Sequence, residues 1–141
     1  LVLRSSSGTQ GVAGAVNAKR ILLGSLVVAK ATASYLKKKA RPELVTLLAM
    51  GSPGMLDKEE DVACSNYLAG LLGGAPLDAK EAVRRVRESQ AGKNALDPKM
   101  DWISPEDLDC ATAADKFPFA MEVTKEYGLQ VARVVRATPF L

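Results

Sequence analysis

A loop rich in hydroxyl groups and glycine, SSSGTQG at Ser5–Gly11, lies between a short apolar stretch and a stretch of small residues. Its glycines let backbone N–H groups converge on one point, and its hydroxyl groups donate hydrogen bonds. Where such a loop opens a helix, the helix N-terminus adds partial positive charge, and phosphate is bound by this combination. The GxxxxGK[ST] spacing of a P-loop is absent. Two interpretations therefore stay open: a phosphate-binding loop and an ordinary strand-to-helix turn.

A cluster of carboxylates opens a later candidate helix, where Asp57, Glu59, Glu60 and Asp61 fall within five residues. We interpret Asp57 and Glu59 as solvated acids that favour the positive end of the helix dipole. Glu60 and Asp61 are adjacent and point in different directions around the helix, so at most one faces the neighbouring loop directly. A carboxylate beside a bound phosphate requires a cation between them, and Mg²⁺ takes one or two carboxylates plus phosphate oxygens. The sequence therefore predicts Mg²⁺ as cofactor, with Glu60 and Asp61 as its candidate ligands.

The residue types that are missing narrow the chemistry further. The chain has no histidine, which excludes a Ser-His or Cys-His nucleophilic pair and a zinc site built on imidazole. Cys64 and Cys110 have no metal-ligand spacing, and we interpret them as buried thiols of a reducing, cytoplasmic compartment. Cys64 is read as a packed thiol rather than a nucleophile. No apolar stretch approaches the ~20 residues of a membrane span, so no membrane partner is expected.

Charge is distributed unevenly along the chain. Residues 1–50 carry eight Lys and Arg side chains against one acid, whereas residues 51–141 carry eleven against fifteen. This asymmetry is read either as ordinary surface solubility or as a field that attracts a small anion. A nucleic-acid partner is not expected, because aromatic residues are only 5% of the chain and the basic run Lys37–Arg41 lies where a helix ends.

The candidate residues must be positioned by strands and helices that alternate along the chain. Three apolar strands are predicted, at Leu1–Arg4, Ile21–Leu23 and Leu44–Met50. Helices are predicted at 11–18, 26–39, 57–72, 77–90 and from 105 onward. Strands that alternate with helices indicate an α/β fold, a three-layer α/β/α arrangement with a mainly parallel or mixed sheet. Alternation by twos around Tyr127-Gly128 predicts a C-terminal β-hairpin. The whole chain, 1–141, is expected to form one domain.

In such a fold, ligands bind beyond the carboxyl ends of the strands. Three loops fall there, at Ser5–Gly11, Gly24-Ser25 and Met50–Asp61, and all three are rich in glycine and hydroxyl residues. The sequence therefore predicts one anion site shared by the three loops.

The same segments, taken in order, are similar to those of a known protein family. The series LRSSSGTQG, ILLGSL, LVTLLAMGSPG, EEDVACSNYLAG and DLDCATAADKF resembles the 2-phosphosulfolactate phosphatase family. The resemblance runs through nearly the whole chain. It implies that this sequence corresponds to about the C-terminal two-thirds of a family member, without the family's upstream α/β segment.

The resemblance assigns individual positions. Ser7-Gly8-Thr9 matches the family's Asn-Gly-Ser/Thr turn with Ser in the Asn position, and Gly24-Ser25 matches its Gly-Ser turn. Ala49–Ser52 stands where the family has Cys-Ala-Gly-Thr, and Glu60-Asp61 matches its Glu-Asp pair, with Cys64 following.

The resemblance implies a Mg²⁺-dependent phosphoric monoester hydrolase that converts 2-phosphosulfolactate to sulfolactate and phosphate in coenzyme M biosynthesis. Phosphate oxygens would be held by Ser7, Gly8, Thr9, Ser25, Gly51 and Ser52. Glu60 and Asp61 would be the catalytic carboxylates, which bind the metal or orient water. The substrate would be a small anionic phosphoester.

An alternative of another class stays open: a non-catalytic module that binds phosphate or another small anion, or serves assembly, on the same fold. The sequence also predicts association, because Leu1–Arg4 would be an apolar strand with a free edge. Its expected partner is a second copy of the chain or the family's upstream segment.

Overall fold

The computed structural model of the 141-residue chain describes residues 2–3, 5, 7–51 and 59–137. The helices in this part are α1 Gly8–Gly14, α2 Ala29–Tyr35, α3 Glu59–Leu72, α4 Ala79–Glu88, α5 Gln90–Leu96 and α6 Pro105–Ala111. The strands are β1 Ile21–Leu23, β2 Ala120–Glu126 and β3 Leu129–Val135. A 3-10 turn, Leu26–Val28, precedes α2, and a π-helical turn, Leu36–Ala40, follows it.

Helix α3 carries the acidic cluster and lies at the centre of the helical part. Glu59, Glu60 and Asp61 occupy its first turn, where negative charge is favoured by the helix dipole. The helix ends before Gly73, whose φ of 112° suits glycine. The predicted helix is confirmed from Glu59 onward, and its first two predicted residues lie outside the described part of the chain.

The core is built between helices from small and aliphatic side chains. It consists of Leu26, Ala29, Ala63, Tyr67, Leu68, Ala82, Val86, Ala95 and Leu108. Ala63 of α3 and Ala82 of α4 are fully buried, which allows these two helices to approach closely. Helix α6 begins as predicted, with a capping box between Ser104 and Asp107. No helix of the described residues is both long and apolar enough to cross a membrane.

The three strands form one antiparallel sheet in the order β1-β2-β3. Strand β1 pairs with β2 in a register that places Ile21 opposite Val123. Strands β2 and β3 form the predicted hairpin, which is confirmed. Tyr127 and Gly128 both have positive φ, at 51° and 81°, as the tight turn of a two-residue hairpin requires.

The prediction of a mainly parallel sheet is not confirmed, and neither is the three-layer arrangement. Every strand pair among the described residues is antiparallel, because the neighbour of β1 is the C-terminal hairpin rather than another βα unit. Leu44–Met50 is not a strand in this structure, and Val2 and Leu3 are exposed outside any strand. An apolar run specifies burial, but it does not specify a partner strand or a direction of pairing.

The predicted helix at 11–18 is wrong in its bounds, because α1 begins three residues earlier and ends at Gly14. Two other predicted helices are broken into shorter pieces. Residues 26–39 form the 3-10 turn, α2 and the π-helical turn, which ends at Arg41 with a φ of 43°. Residues 77–90 form α4 and the start of α5, which are separated at Ser89. The Ser89 hydroxyl caps α5 by accepting a hydrogen bond from the N–H of Gly92. The chain therefore changes direction at Ser89, and the new helix begins with a capped N-terminus.

Candidate functional site

The candidate site begins at the first turn of α3, where a carboxylate meets the preceding loop. The backbone N–H of Gly51 donates to Oδ2 of Asp61 at 2.6 Å. Both residues are half-buried. This bond holds Gly51 against the start of α3. The sequence prediction requires such a contact, because it places the third loop and the carboxylates at one site. Ser52, the next candidate residue, lies outside the described residues.

The first loop reaches the same place through Gly11 of α1. A Cβ atom added to Gly11 would lie 2.6 Å from Sδ and 3.2 Å from Cγ of Met50, so the two residues are in close contact. Met50 directly precedes Gly51, whose N–H is bonded to Asp61. The structure therefore joins α1, Gly51 and the start of α3 in one continuous set of contacts.

Within the first loop, the hydroxyl groups of Ser5 and Thr9 are engaged locally. The Ser5 hydroxyl accepts the N–H of Thr9 at 3.1 Å, and the Thr9 hydroxyl donates to the Ser5 carbonyl at 2.9 Å. Ser7 is buried, and its carbonyl accepts the N–H of Gly11 at 3.0 Å. Gly8 faces the Ser5 hydroxyl closely, with 3.4 Å between that oxygen and an added Cβ. The loop is thus preformed by its own hydrogen bonds.

The second loop packs on α3 further along the helix. A Cβ on Gly24 would lie 3.1 Å from Cδ1 of Leu68, two turns beyond Asp61. Ser25 starts the 3-10 turn without a capping hydrogen bond from its side chain. Among the described residues, no hydrogen bond links Ser25 or Thr9 to Asp61. Each of the three loops contacts α3 or another loop, whereas no described hydroxyl group of these loops forms a hydrogen bond with the Asp61 carboxylate.

The donor set at this place fits a hard cation that keeps most of its water. Among the residues described, no group of three or more His, Cys, Asp or Glu side chains is placed to hold a metal ion. Zinc sites need three or four such ligands, whereas Mg²⁺ is bound through one or two carboxylates together with water and phosphate oxygens. Glu60 and Asp61 supply only oxygen ligands, so they fit Mg²⁺ and do not form a closed protein cage.

Cys64 lies one turn after Glu60 and is a packed thiol. Burial, and then the negative charge of Asp61, raise the pKa of the Cys64 thiol to about 11. A thiol with this pKa is protonated at neutral pH and is a poor nucleophile. The interpretation of Cys64 as a structural residue agrees with this shift. The prediction that Cys110 is also buried is wrong, because that residue is exposed at the end of α6.

Sequence reasoning gave no role to Asp115, which the structure places at the centre of a polar cluster. Its carboxylate accepts the Tyr67 hydroxyl at 2.5 Å and the backbone N–H of Lys30 at 2.9 Å, and the Lys30 ammonium lies 3.1 Å away. Its own N–H donates to the carbonyl of Leu26 at 2.9 Å. Asp115 has a φ of 60° and therefore joins α2 and α3 in a conformation that non-glycine residues seldom adopt. The only sequence signal was its position in the segment DLDCATAADKF.

A second polar cluster fixes the sheet to α2. Arg20 donates to the Tyr35 hydroxyl at 2.8 Å and to Glu122 at 2.9 Å, and the Tyr35 hydroxyl donates to Glu122 at 3.0 Å. The three side chains come from positions distant in sequence, so no local pattern predicted them. These hydrogen bonds hold β2 against α2.

These contacts define a mixed helix and strand protein in which Gly11 and Gly51 meet near the acidic start of α3, and Gly24 packs two turns further along the same helix. The family model for 2-phosphosulpholactate phosphatase matches residues 1–101. The chain belongs to the 2-phosphosulpholactate phosphatase family, as the ordered motifs predicted.

A curated relative supports this assignment. The chain is 26% identical over 127 residues to a protein of Bacillus subtilis (strain 168) described as a probable 2-phosphosulfolactate phosphatase. The aligned region covers 89% of this chain and 54% of the relative, so the chain spans about half the length of that relative. No solved structure matches the chain.

Proposed function

We propose that the protein is a Mg²⁺-dependent phosphatase that hydrolyses a small anionic phosphoester, 2-phosphosulfolactate, to sulfolactate and phosphate. The observation that carries the proposal is the joined arrangement of Gly11, Met50, Gly51 and Asp61 in a chain of this family. It brings a glycine loop and a carboxylate-bearing helix start together, which are the two parts that a metal-assisted phosphate site needs.

In the proposed site, each loop has a distinct role. Ser7 and Gly8 bind phosphate oxygens through backbone N–H and hydroxyl groups, and Ser25 and Ser52 bind them from the other loops. Thr9 donates its N–H and hydroxyl to Ser5 and so holds the first loop in shape, and Gly51 donates its N–H to Asp61 and so positions Ser52. Because the Ser5–Thr9 hydrogen bonds preform the first loop, little conformational entropy is lost when the anion binds. The Asp61 carboxylate also positions the third loop by accepting the Gly51 N–H.

Glu60 and Asp61 are the proposed ligands of Mg²⁺ and orient the attacking water. When bound, Mg²⁺ would neutralise phosphate charge and lower the pKa of a coordinated water. The carboxylates of the chain would orient the attacking water for displacement of the ester oxygen. We include coenzyme M biosynthesis on the family resemblance alone, and a cytoplasmic location on the two free cysteines.

The test is release of inorganic phosphate from 2-phosphosulfolactate by the purified protein, with and without Mg²⁺. We expect turnover that needs Mg²⁺ and stops when EDTA is added. A generic aryl phosphate measured in parallel separates substrate preference from the ability to hydrolyse any phosphomonoester. Absence of phosphate release from both compounds in the presence of Mg²⁺ would contradict the proposal.

The second candidate, a non-catalytic module that binds phosphate or another small anion, is favoured by one observation. The Ser5 and Thr9 hydroxyl groups bond to the loop itself, and no described hydrogen bond joins them to Asp61. Such a module would bind phosphate, as measured by calorimetry, with no turnover. Phosphate binding that is unchanged by Asp61→Asn would favour this alternative over the enzyme.

A further inference from the structure

The segment 42–50 connects the π-helical turn to Gly51 without forming a helix or a strand. In the described part of the chain, none of its backbone N–H or C=O groups bonds to another backbone group. Backbone groups that lack intramolecular partners either stay in water or pair with another chain. This stretch thus has the unpaired backbone of an edge strand, and its sequence, PELVTLLAM, is mainly apolar.

Only the C-terminal end of this segment, residues 47–49, alternates between two faces, because residues 42–46 are all exposed and Val45 is 37% exposed. Leu47 and Ala49 are half-buried, and Leu47 packs against the helical core. Leu44 and Leu48 are 81% and 67% exposed. Alternation of inward and outward side chains is the period of a strand with one covered face. The second face is apolar and uncovered among the described residues.

We propose that segment 42–50 is an interface at which two copies of this chain pair as antiparallel strands around a two-fold axis. Each copy supplies the same segment, so the contact is isologous and closes as a dimer. Pairing satisfies the backbone groups of both segments and brings Leu44 and Leu48 of both copies together. The sequence prediction had placed association at Leu1–Arg4, whose residues lie partly outside the described part of the chain.

Charge complementarity selects this occupant and this direction. The segment is preceded by Lys37, Lys38, Lys39 and Arg41, and none of these cations makes an ion pair within the part of the chain that the structure describes. The Gly51–Asp61 hydrogen bond holds an acidic flank, the first turn of α3 with Glu59, Glu60 and Asp61, at the other end of the segment. Antiparallel pairing places the basic flank of each copy beside the acidic flank of the other. Parallel pairing would place like charges together, which is destabilising.

The test is to measure the mass of the 141-residue chain by sedimentation across the micromolar range. Two variants, each with one exposed leucine replaced by lysine, are compared with the unmodified protein. We expect a species of twice the 14.9 kDa chain mass for the unmodified protein. Leu48→Lys is expected to raise the dimer dissociation constant at least ~100-fold, because both copies lose a buried leucine and gain a charge. The control, Leu129→Lys, changes a leucine of nearly equal exposure, 68% against 67%, on β3 and should leave the dissociation constant unchanged.

A second set of variants tests the strand pairing and its direction. Thr46→Pro removes a backbone N–H within the segment and should also give monomers, and Leu44→Lys checks the result if Leu48→Lys lowers solubility. Reversal of the basic flank, Lys37→Glu with Lys38→Glu and Lys39→Glu, should weaken the dimer and make association fall further at low salt. A monomer at 100 µM, equal effects of Leu48→Lys and Leu129→Lys, or a dimer unchanged by the reversed flank would each overturn the proposal.

Discussion

The backbone N–H of Gly51 and the carboxylate of Asp61 form a hydrogen bond of 2.6 Å that joins a loop to the start of α3. A carboxylate that accepts a backbone N–H both carries charge and fixes the position of the donor. Asp61 therefore has two separable contributions, and substitutions that remove one or both of them have different expected results.

We expect Glu60→Gln and Asp61→Asn to lower phosphatase turnover by at least ~10²-fold, the scale of one acid-base or metal-ligand role. Asn keeps a side-chain oxygen for the Gly51 N–H, so Asp61→Asn should leave the free energy of unfolding nearly unchanged. Asp61→Ala removes the acceptor as well, and should in addition lower this free energy by about 1–3 kcal/mol. Steady-state kinetics and urea unfolding of the three variants give the measurement.

The control for this series is Glu59→Gln, in the same helical turn. Glu59 lies 3.6 Å from Arg85 on a partly exposed surface, where an ion pair contributes little. The turnover of the Glu59→Gln variant should stay within about twofold of the unmodified protein, which corresponds to a change of under about 0.5 kcal/mol in the activation free energy. Equal turnover in Asp61→Asn and Glu59→Gln would contradict the assigned role of Asp61.

The contact between Gly11 and Met50 predicts a specific effect of one methyl group. Gly11→Ala places a Cβ where the Met50 side chain lies, 2.6 Å from Sδ, so Met50 and the adjoining Gly51 must shift. We expect a lower free energy of unfolding and a raised KM for the phosphoester. Gly14→Ala in the same helix meets no atom within 4 Å and should be neutral or stabilising by up to about 1 kcal/mol, because Ala favours helix.

A double-mutant cycle with Met50→Ala tests the cause. Removing the Met50 side chain makes room for the new Cβ, so Gly11→Ala should cost less in this background than in the unmodified protein. Additive effects of the two substitutions on stability would show that the methyl group acts elsewhere.

The sequence predicted local structure better than it predicted pairing. The acidic start of α3, the capping box of Ser104 and Asp107, and the turn at Tyr127-Gly128 were all predicted, because each depends on residues a few positions apart. The parallel pairing expected for β1 is not found. This strand pairs antiparallel with β2, which lies about a hundred positions away in the sequence. Apolar patterning carries no information on such a distant partner.

The candidate site shows the same division. Glycine, hydroxyl and carboxylate positions were evident from residue type and spacing, and the structure brings Gly51 and Asp61 together. Asp115 was not recognised as a structural residue, because its partners Lys30 and Tyr67 are 85 and 48 positions away. Ordered motifs identified the family where tertiary contacts were beyond the reach of local patterns.

The Tyr67–Asp115 hydrogen bond predicts a stability effect that is independent of phosphate chemistry. Tyr67→Phe removes a donor to the half-buried Asp115 carboxylate, and should lower the free energy of unfolding by about 1–3 kcal/mol. Tyr127→Phe is the matched control, because Tyr127 is fully exposed at the hairpin turn. Chemical denaturation of both variants measures the difference, and equal stability of the two would contradict the role of the Asp115 cluster.

The raised pKa of Cys64 predicts how its reactivity depends on pH. Burial and the charge of Asp61 raise this pKa from 9.0 to about 11, so the thiolate is scarce in the folded protein at pH 8. We expect an alkylating reagent at pH 8 to modify the exposed Cys110 first, and the rate at Cys64 to rise with a midpoint near pH 11. Mass spectrometry of timed samples assigns each rate to its residue.

The sign of the linked stability effect follows from the same shift. Because the folded-state pKa of Cys64 lies above the unfolded value of 9.0, folding favours the protonated thiol. The contribution of this thiol to the free energy of unfolding is complete below pH 9.0 and is lost as pH rises through about 11. Cys64→Ala should therefore flatten the fall of unfolding free energy in this range. Asp61→Asn removes one of the two causes and should move the labelling midpoint of Cys64 to lower pH. A midpoint that stays fixed in Asp61→Asn would show that Asp61 exerts no field at Cys64, and would count against the arrangement of the α3 start described above.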